Sequence, residues 1–141
     1  MSSKKGVILH LGKKRSNTNI LVVDDEQDIV NLIKRSLEVN GTRVCAFTDP
    51  FLAVKHFNSE VRDHHNIAIS DIRMPGMNGY EFVKKTKEIN KKVKTILMSA
   101  FEINDKEFHN ILPDIRVDAF LQKPFHIKQL NEVVEKISIR A

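Results

Sequence analysis

The chain has a single cysteine, Cys45, and contains no long apolar run. One cysteine cannot form an internal disulfide, so the sequence fits a reducing compartment and we expect the cytoplasm. No apolar stretch approaches the roughly 20 residues that a membrane span requires. Val7-Ile8-Leu9 is too short for the core of a signal peptide, and no small-residue cleavage site follows it. These absences argue against a membrane segment and against export.

Internal repeats, low-complexity linkers and the phosphate-binding loop motif of nucleotide hydrolases are also missing from the sequence. The 141 residues suffice for one domain. We therefore predict one folded domain over residues 19–141. No effector domain follows it in this sequence, although a piece of a longer protein would look the same.

The formal net charge of +5 comes from the first 18 residues, which hold five basic side chains and no acid. These are Lys4, Lys5, Lys13, Lys14 and Arg15. The rest of the chain is close to neutral, which argues against a nucleic-acid-binding surface on the domain body. We predict that residues 1–18 form a basic, flexible tail. Binding of an acidic partner by this tail is the alternative.

Apolar runs rich in β-branched residues alternate with amphipathic segments along residues 19–141. The runs predict strands near residues 20–23, 43–47, 66–70, 95–98 and 117–121. Helices are predicted near residues 26–39, 50–61, 79–89, 108–112 and 126–139. This alternation predicts an α/β fold, with a doubly wound, five-stranded parallel sheet and helices on both faces.

Periodic apolar residues predict the buried face of each longer helix. These faces comprise Ile29, Leu32, Ile33 and Leu37 in the first helix, Ala53, Phe57 and Val61 in the second, Phe82, Val83, Thr86 and Ile89 in the third, and Ile127, Leu130, Val134 and Ile137 in the last. Asn40-Gly41 is predicted to end the first helix. Asp49-Pro50 is predicted to begin the second, as its cap and first helical residue.

Polar side chains follow four of the predicted strands. Asp24 and Asp25 follow the first strand, Asp71 the third, Ser99 the fourth and Lys123 the fifth. In a sheet of order 2-1-3-4-5, strand order reverses between strands one and three, and ligands bind there beyond the carboxyl ends. Three carboxylates in that crevice repel one another and, unless protonated, need a cation.

Magnesium suits such a crevice, because it takes hard oxygen ligands and often bridges carboxylates to a phosphate. A carboxylate can also attack phosphorus and form an aspartyl phosphate. A metal ion and a lysine would neutralise the transferring phosphoryl group, and a hydroxyl could donate a hydrogen bond to it. The crevice is therefore a candidate phosphoryl-transfer site.

These motifs, in this order, resemble the receiver domain of two-component response regulators over about Asn19 to Ile139. The family has an acidic pair after strand one, a phosphorylated Asp followed by Met-Pro and a later Gly, then Ser or Thr with Ala, and finally Lys-Pro. The corresponding residues here are Asp24-Asp25, Asp71, Met74-Pro75, Gly79, Ser99-Ala100 and Lys123-Pro124. The resemblance implies a flavodoxin-like fold and a regulatory switch that catalyses only its own phosphorylation and dephosphorylation.

The resemblance also implies residue roles. Asp71 would accept the phosphoryl group, Ser99 would hydrogen-bond to it and Lys123 would pair with it. Mg²⁺, with Mn²⁺ as a substitute, would be held by the side chains of Asp25 and Asp71, by the Arg73 carbonyl, and by Asp24 through water. Ser99 and Phe120 would form the switch, and the Lys123-Pro124 bond would be cis.

A sensor histidine kinase or a histidine phosphotransfer protein would donate the phosphoryl group. Phosphorylation would change the surface of the fourth helix, fifth strand and fifth helix, and so control a downstream protein. A homodimer through this surface is left open, and no membrane or nucleic-acid contact is expected from the domain body. We also predict that Arg73 and Phe101 alter the lifetime of the phosphoryl group.

Two other functions compete with this interpretation. The first is a binding module that uses the same fold without phosphorylation. The second is a phosphatase of the haloacid-dehalogenase type, but Arg73 stands where those enzymes carry a second Asp. Away from the crevice, Cys45 is predicted to be a small buried hydrophobe, and His64-His65 to be solvated rather than part of a zinc site.

Overall fold

The computed structural model describes residues 18–59, 65–100 and 116–138. The strands of the described chain are β1 (Asn19–Val23), β2 (Arg43–Phe47), β3 (Ile67–Asp71), β4 (Lys94–Ser99) and β5 (Ala119–Gln122). They form one sheet of order β2-β1-β3-β4-β5. All four neighbouring pairs are parallel. The predicted fold class and strand order are therefore confirmed.

The described helices are α1 (Gln27–Glu38), α2 (Pro50–Ser59), α3 (Gly79–Ile89) and a C-terminal helix (Ile127–Ser138). None of them has both the length and the apolar content that a bilayer crossing needs. The predicted short helix around residues 108–112 lies outside the described residues. Val61, Phe101 and nearly all of the predicted basic tail also lie outside the described residues.

Strand β1 is buried on both faces. Ile20, Leu21, Val22 and Val23 are fully inaccessible to solvent. Ile20 and Val22 pack in a core with α1 and the C-terminal helix, whereas Leu21 and Val23 pack in a core with α2 and α3. Helices on both faces explain why the strand is continuously apolar rather than alternating. Because β1 is an interior strand that pairs with β3, the residues after it, Asp24 and Asp25, lie beside the carboxyl end of β3.

Among the described residues, the predicted helix faces are correct except at two positions. Val30, Ile33 and Leu37 are the buried residues of α1, whereas Leu32 is 38% exposed. Successive helical residues lie about 100° apart, so Leu32 falls beside the stripe that contains Ile33. Ile127, the first residue of the C-terminal helix, is 46% exposed. The prediction that Leu32 and Ile127 face inward was therefore wrong.

The predicted helix boundaries are close to the observed ones. The Gly41 backbone has φ +83°, and its N–H donates to the Glu38 carbonyl at 3.0 Å just after α1 ends. Asp49 caps α2 by accepting a 2.9 Å hydrogen bond from the Phe51 N–H. The predicted end of α1 at Asn40-Gly41 and the predicted start of α2 at Asp49-Pro50 are thus confirmed. Strand β5 begins two residues later than predicted, and Asp71 is the last residue of β3 rather than the first after it.

Candidate functional site

Three carboxylates meet at the carboxyl edge of the sheet, and we call this group the acidic crevice. Asp24 and Asp25 follow β1, and Asp71 ends the neighbouring strand β3. One carboxylate oxygen from each residue lies within 4.8 Å of the other two. Asp24 and Asp71 are buried, whereas Asp25 is exposed. The crevice therefore has a closed side and a side open to solvent.

Asp24 is the most tightly held of the three. Its side chain is inaccessible to solvent, and its Oδ2 accepts a hydrogen bond of 2.6 Å from the Lys123 ammonium. Its Oδ1 accepts a second hydrogen bond, of 2.9 Å, from the Glu26 N–H. Both oxygens are thus engaged by the protein, which fits a carboxylate that orients a neighbouring group. Metal binding by Asp24 through water stays a prediction.

Lys123 brings a positive charge into the acidic crevice. Its Nζ lies 3.2 Å from Asp71 Oδ1, in addition to its contact with Asp24. Its backbone N–H donates to the Ser99 carbonyl at 2.7 Å, which ties the end of β4 to the residue after β5. The Lys123-Pro124 bond is cis, as the family resemblance implied. With all groups ionised, one lysine faces three carboxylates, so the crevice retains negative charge.

The environment shifts the pKa values of Asp71 and Lys123. Burial raises the pKa of Asp71 above its ordinary value, the charge of Asp24 raises it further, and Lys123 only partly opposes this. For Lys123, burial lowers the pKa, but the hydrogen bond and charge of Asp24, together with Asp71, outweigh burial and leave it raised. Asp71 therefore lies where a negative charge is disfavoured and where one more cation would stabilise it.

The loop after Asp71 is fixed by a close backbone approach. A β-carbon at Gly79 would overlap the Asp71 carbonyl oxygen and come within 2.8 Å of the Ile72 Cα. The Gly79 N–H also donates to the Ile72 carbonyl at 2.7 Å. Only glycine fits this position without moving the backbone of Asp71. The family motif identified Gly79, but the steric reason for it appears only in the structure.

The start of α3 holds the same loop through a feature that the sequence interpretation missed. The Asn78 side chain accepts a hydrogen bond from the Glu81 N–H, and the Glu81 side chain accepts one from the Asn78 N–H, both at 2.9 Å. This is a capping box. An Asn followed three residues later by Glu is a recognisable sequence signal for it.

The remaining predicted site residues lie on β4, on β5 and in the loop after β3. Ser99 ends β4 and is buried, and it follows Met98, which pairs with Asp71 across the sheet. Phe120 is half-buried opposite Leu97 on β4. Arg73 is exposed two residues beyond Asp71. Their proposed roles in hydrogen bonding, switching and metal coordination stay predictions.

The donor set of the crevice fits a small divalent cation. Three carboxylate groups supply the hard oxygen ligands that Mg²⁺ prefers. The exposed side at Asp25 leaves room for the waters that Mg²⁺ usually keeps.

The prediction for His65, which lies outside the crevice, was wrong. His65 was expected to be solvated, yet only 3% of it is exposed. It packs against Phe57 on α2, with ring centroids 5.5 Å apart. His64 lies outside the described residues. Cys45 is half-buried and packs against the core shared with α2 and α3, in partial agreement with its predicted burial.

The comparisons with known proteins agree on one family. Residues 20–135 match the response regulator receiver domain. The response regulator SaeR of Staphylococcus epidermidis is 31% identical over 113 residues, covering 80% of this chain and 47% of the relative. SaeR of Staphylococcus aureus is 29% identical over the same length. The chain thus spans about half the length of these curated relatives.

Solved structures agree with this match. A CheY-like response regulator receiver domain protein from Methanospirillum hungatei superposes with a TM-score of 0.74 at 25% identity, covering 85% of this chain and 92% of that one. A two-component response regulator from Clostridium difficile has a TM-score of 0.75 at 22% identity, with coverages of 87% and 97%. The second likeness supports the fold alone. On the sequence match over most of its length, the chain belongs to the response regulator receiver domain family.

Proposed function

We propose that this chain is a phosphorylation-dependent signalling switch in which Asp71 accepts a phosphoryl group from a phosphohistidine donor. The observation that carries the proposal is the position of the Asp71 carboxylate, buried in the acidic crevice and 3.2 Å from the Lys123 ammonium. An Asp71 oxygen would form a bond to phosphorus as the bond between phosphorus and the donor imidazole breaks. The donor histidine leaves with the electrons of that bond.

Lys123 has a double role in this proposal. Before transfer it neutralises part of the charge that Asp24 and Asp71 place in the crevice. After transfer it would pair with an oxygen of the phosphoryl group while Asp24 keeps it in position. Ser99 would donate a hydrogen bond to another phosphoryl oxygen. These contacts favour the phosphorylated state.

Mg²⁺, or Mn²⁺ in its place, would be held by Asp25, Asp71 and the Arg73 carbonyl, with Asp24 acting through water. The mutual approach of the three carboxylates within 4.8 Å supports this assignment. Bound there, the ion supplies positive charge that offsets the negative charge of the phosphoryl oxygens. The protein contributes the position of the nucleophile and of Lys123.

The output of the switch would be a change in binding to a downstream protein. Ser99 ends β4, and Phe120 lies on β5 opposite Leu97, where it packs in a cluster with Val83. In this proposal, Ser99 and Phe120 would carry the change at Asp71 into β4 and β5. Phosphorylation would bias a pre-existing equilibrium of this region. The donor would be a sensor histidine kinase or a histidine phosphotransfer protein, and the cytoplasm is the compartment that the single cysteine favours.

Acetyl phosphate with Mg²⁺ tests the proposal directly, with intact mass as the readout. The wild type should gain one phosphoryl group, and both Asp71→Asn and a Mg²⁺-free control should gain none. Asp49→Asn is a matched control, because Asp49 caps α2 outside the crevice, and it should react like the wild type. An unmodified wild type would contradict the proposal and favour a binding module that acts without phosphorylation.

The lifetime of the adduct gives a finer test. Arg73 is exposed and lies two residues beyond Asp71. We expect Arg73→Ala and Phe101→Ala to change the rate of phosphate loss while Asp71 remains the acceptor. Unchanged rates in both variants would remove these residues from the mechanism.

A further inference from the structure

A second group of side chains with metal-ligand chemistry lies beside the edge strand β2. Cys45 comes from β2, His56 from the last turn of α2, and His65 from the chain shortly before β3. One ligand atom of each, the cysteine sulfur or an imidazole nitrogen, lies within 4.8 Å of the other two. Three separate segments thus bring a thiol and two imidazoles to one point, which we call the Cys/His cluster.

Aromatic contacts hold the two imidazoles of the cluster in place. The rings of His56 and His65 meet edge to face with centroids 5.2 Å apart. Phe57 stacks on His65, and Phe47 contacts His56 at a centroid distance of 5.2 Å. His65 is buried, whereas Cys45 and His56 are half-buried. The cluster is therefore ordered on one side and open enough on the other for an ion to enter.

We propose that Cys45, His56 and His65 form a zinc site whose fourth position is taken by water or another ligand. Thiolate sulfur and imidazole nitrogen are the ligands that Zn²⁺ selects, at about 2.3 Å and 2.0–2.1 Å. Tetrahedral geometry with those bonds separates ligand atoms by roughly 3.5 Å, so small side-chain rotations would bring the three donors onto one ion. Binding releases the Cys45 thiol proton to solvent, and both histidines bind as neutral imidazoles.

This site is distinct from the acidic crevice in place and in chemistry. His65 precedes β3 and Asp71 ends it, and the five residues of β3 alone span about 13 Å. The Cys/His cluster contains no carboxylate, so it is unsuited to Mg²⁺, which requires oxygen ligands. A zinc ion there would connect β2, α2 and the chain before β3, and would stabilise the folded chain by mass action.

Cobalt is the spectroscopic probe that tests this site. The full chain is stripped of metal, reduced with a non-thiol reductant and titrated with Co²⁺, and then with Zn²⁺ in competition. We expect a thiolate-to-cobalt charge-transfer band, which reports only on Co²⁺ bound at Cys45, and loss of the band when Zn²⁺ is added. Cys45→Ser should abolish the band, and His56→Gln should weaken Zn²⁺ binding by at least about tenfold.

Two control variants separate the cluster from other metal-binding groups. His126→Gln removes an exposed imidazole outside the cluster, and Asp25→Asn alters the acidic crevice. Both should keep the charge-transfer band and the zinc affinity. His65→Gln should lose affinity like His56→Gln, and circular dichroism checks that this buried position still folds.

A wild type without the charge-transfer band would overturn the proposal. So would a Zn²⁺ affinity that is equal in the wild type, Cys45→Ser, His56→Gln and His126→Gln. Either result would leave the cluster as aromatic packing around His65. Thermal unfolding gives an independent readout, because Zn²⁺ should raise the midpoint of the wild type more than that of Cys45→Ser. Neither readout depends on phosphorylation of Asp71.

Discussion

The acidic crevice and the Cys/His cluster lie on the same sheet but offer opposite ligand chemistry. The crevice contributes three carboxylates and a lysine at the carboxyl edge. The cluster contributes one thiol and two imidazoles beside β2. Hard oxygen ligands suit Mg²⁺ and sulfur with nitrogen suits Zn²⁺, so the two proposed sites would discriminate between these ions by donor type rather than by raw affinity.

The two sites also differ in how their residues are brought together. The acids of the crevice lie at the carboxyl ends of two adjacent parallel strands, so sheet topology alone gathers them. The cluster depends on the docking of α2, which carries His56 and the Phe57 ring that packs on His65. A site built on strand ends can be predicted from topology, whereas one built across a helix contact requires the packed structure.

The largest expected effect is that a variant of one site loses the property of that site and keeps the property of the other. Asp71→Asn should abolish the acetyl phosphate adduct and leave the cobalt band of the Cys/His cluster intact. Cys45→Ser should abolish the cobalt band and leave the adduct intact. Intact mass and absorption spectra measured on the same two variants check both halves. Loss of both properties in either variant would show that the sites are not separate.

Lys123→Met should be the most destabilising change in the acidic crevice. It leaves the buried Asp24 carboxylate without its 2.6 Å partner and removes the cation beside Asp71. Breaking such a pair costs about 3 kcal/mol. Because a divalent ion can replace part of the missing charge, Mg²⁺ should restore more stability to this variant than to the wild type. Urea unfolding with Mg²⁺ and with EDTA measures the difference, and an equal response to Mg²⁺ would contradict the expectation.

Two glycines test the geometry that holds Asp71. Gly79→Ala introduces an overlap with the Asp71 carbonyl oxygen and should cost about 2 kcal/mol, with slower phosphorylation because the acceptor must shift. Gly41→Ala is the matched control, since its β-carbon would have no heavy atom within 4 Å. Its positive φ should cost about 1 kcal/mol, with no change in phosphorylation rate. Equal phosphorylation rates in both variants would remove Gly79 from the positioning of Asp71.

The sequence predicted the sheet order and the gathering of the carboxylates, because both follow from apolar runs and from the residues that end them. It did not predict that Lys123 pairs with Asp24, since that contact joins residues that only the complete sheet brings together. Leu32 was placed on the wrong face because hydrophobicity does not distinguish it from Val30, and only packing does. The burial of His65 was missed for a similar reason. A histidine in a loop is predicted to be solvated, and only the packing of α2 against it shows that it is buried.

The smallest effect expected in the crevice is a dependence of stability on pH. Burial and the charge of Asp24 raise the pKa of Asp71, so the folded chain holds the Asp71 proton more tightly than the unfolded chain does. The contribution of Asp71 to stability is then fully present below its unfolded pKa and is lost as pH rises through the folded one. In EDTA near neutral pH, Asp71→Asn should therefore unfold about 2–4 °C above the wild type, even though the variant gives up the ionic contact with Lys123. The gap should close as pH falls through the raised pKa of Asp71. A difference in unfolding temperature that stays constant with pH would contradict this expectation. It would mean that burial and repulsion at Asp71 do not limit the stability of the folded chain. The negative charge of Asp71 would then already be neutralised by Lys123.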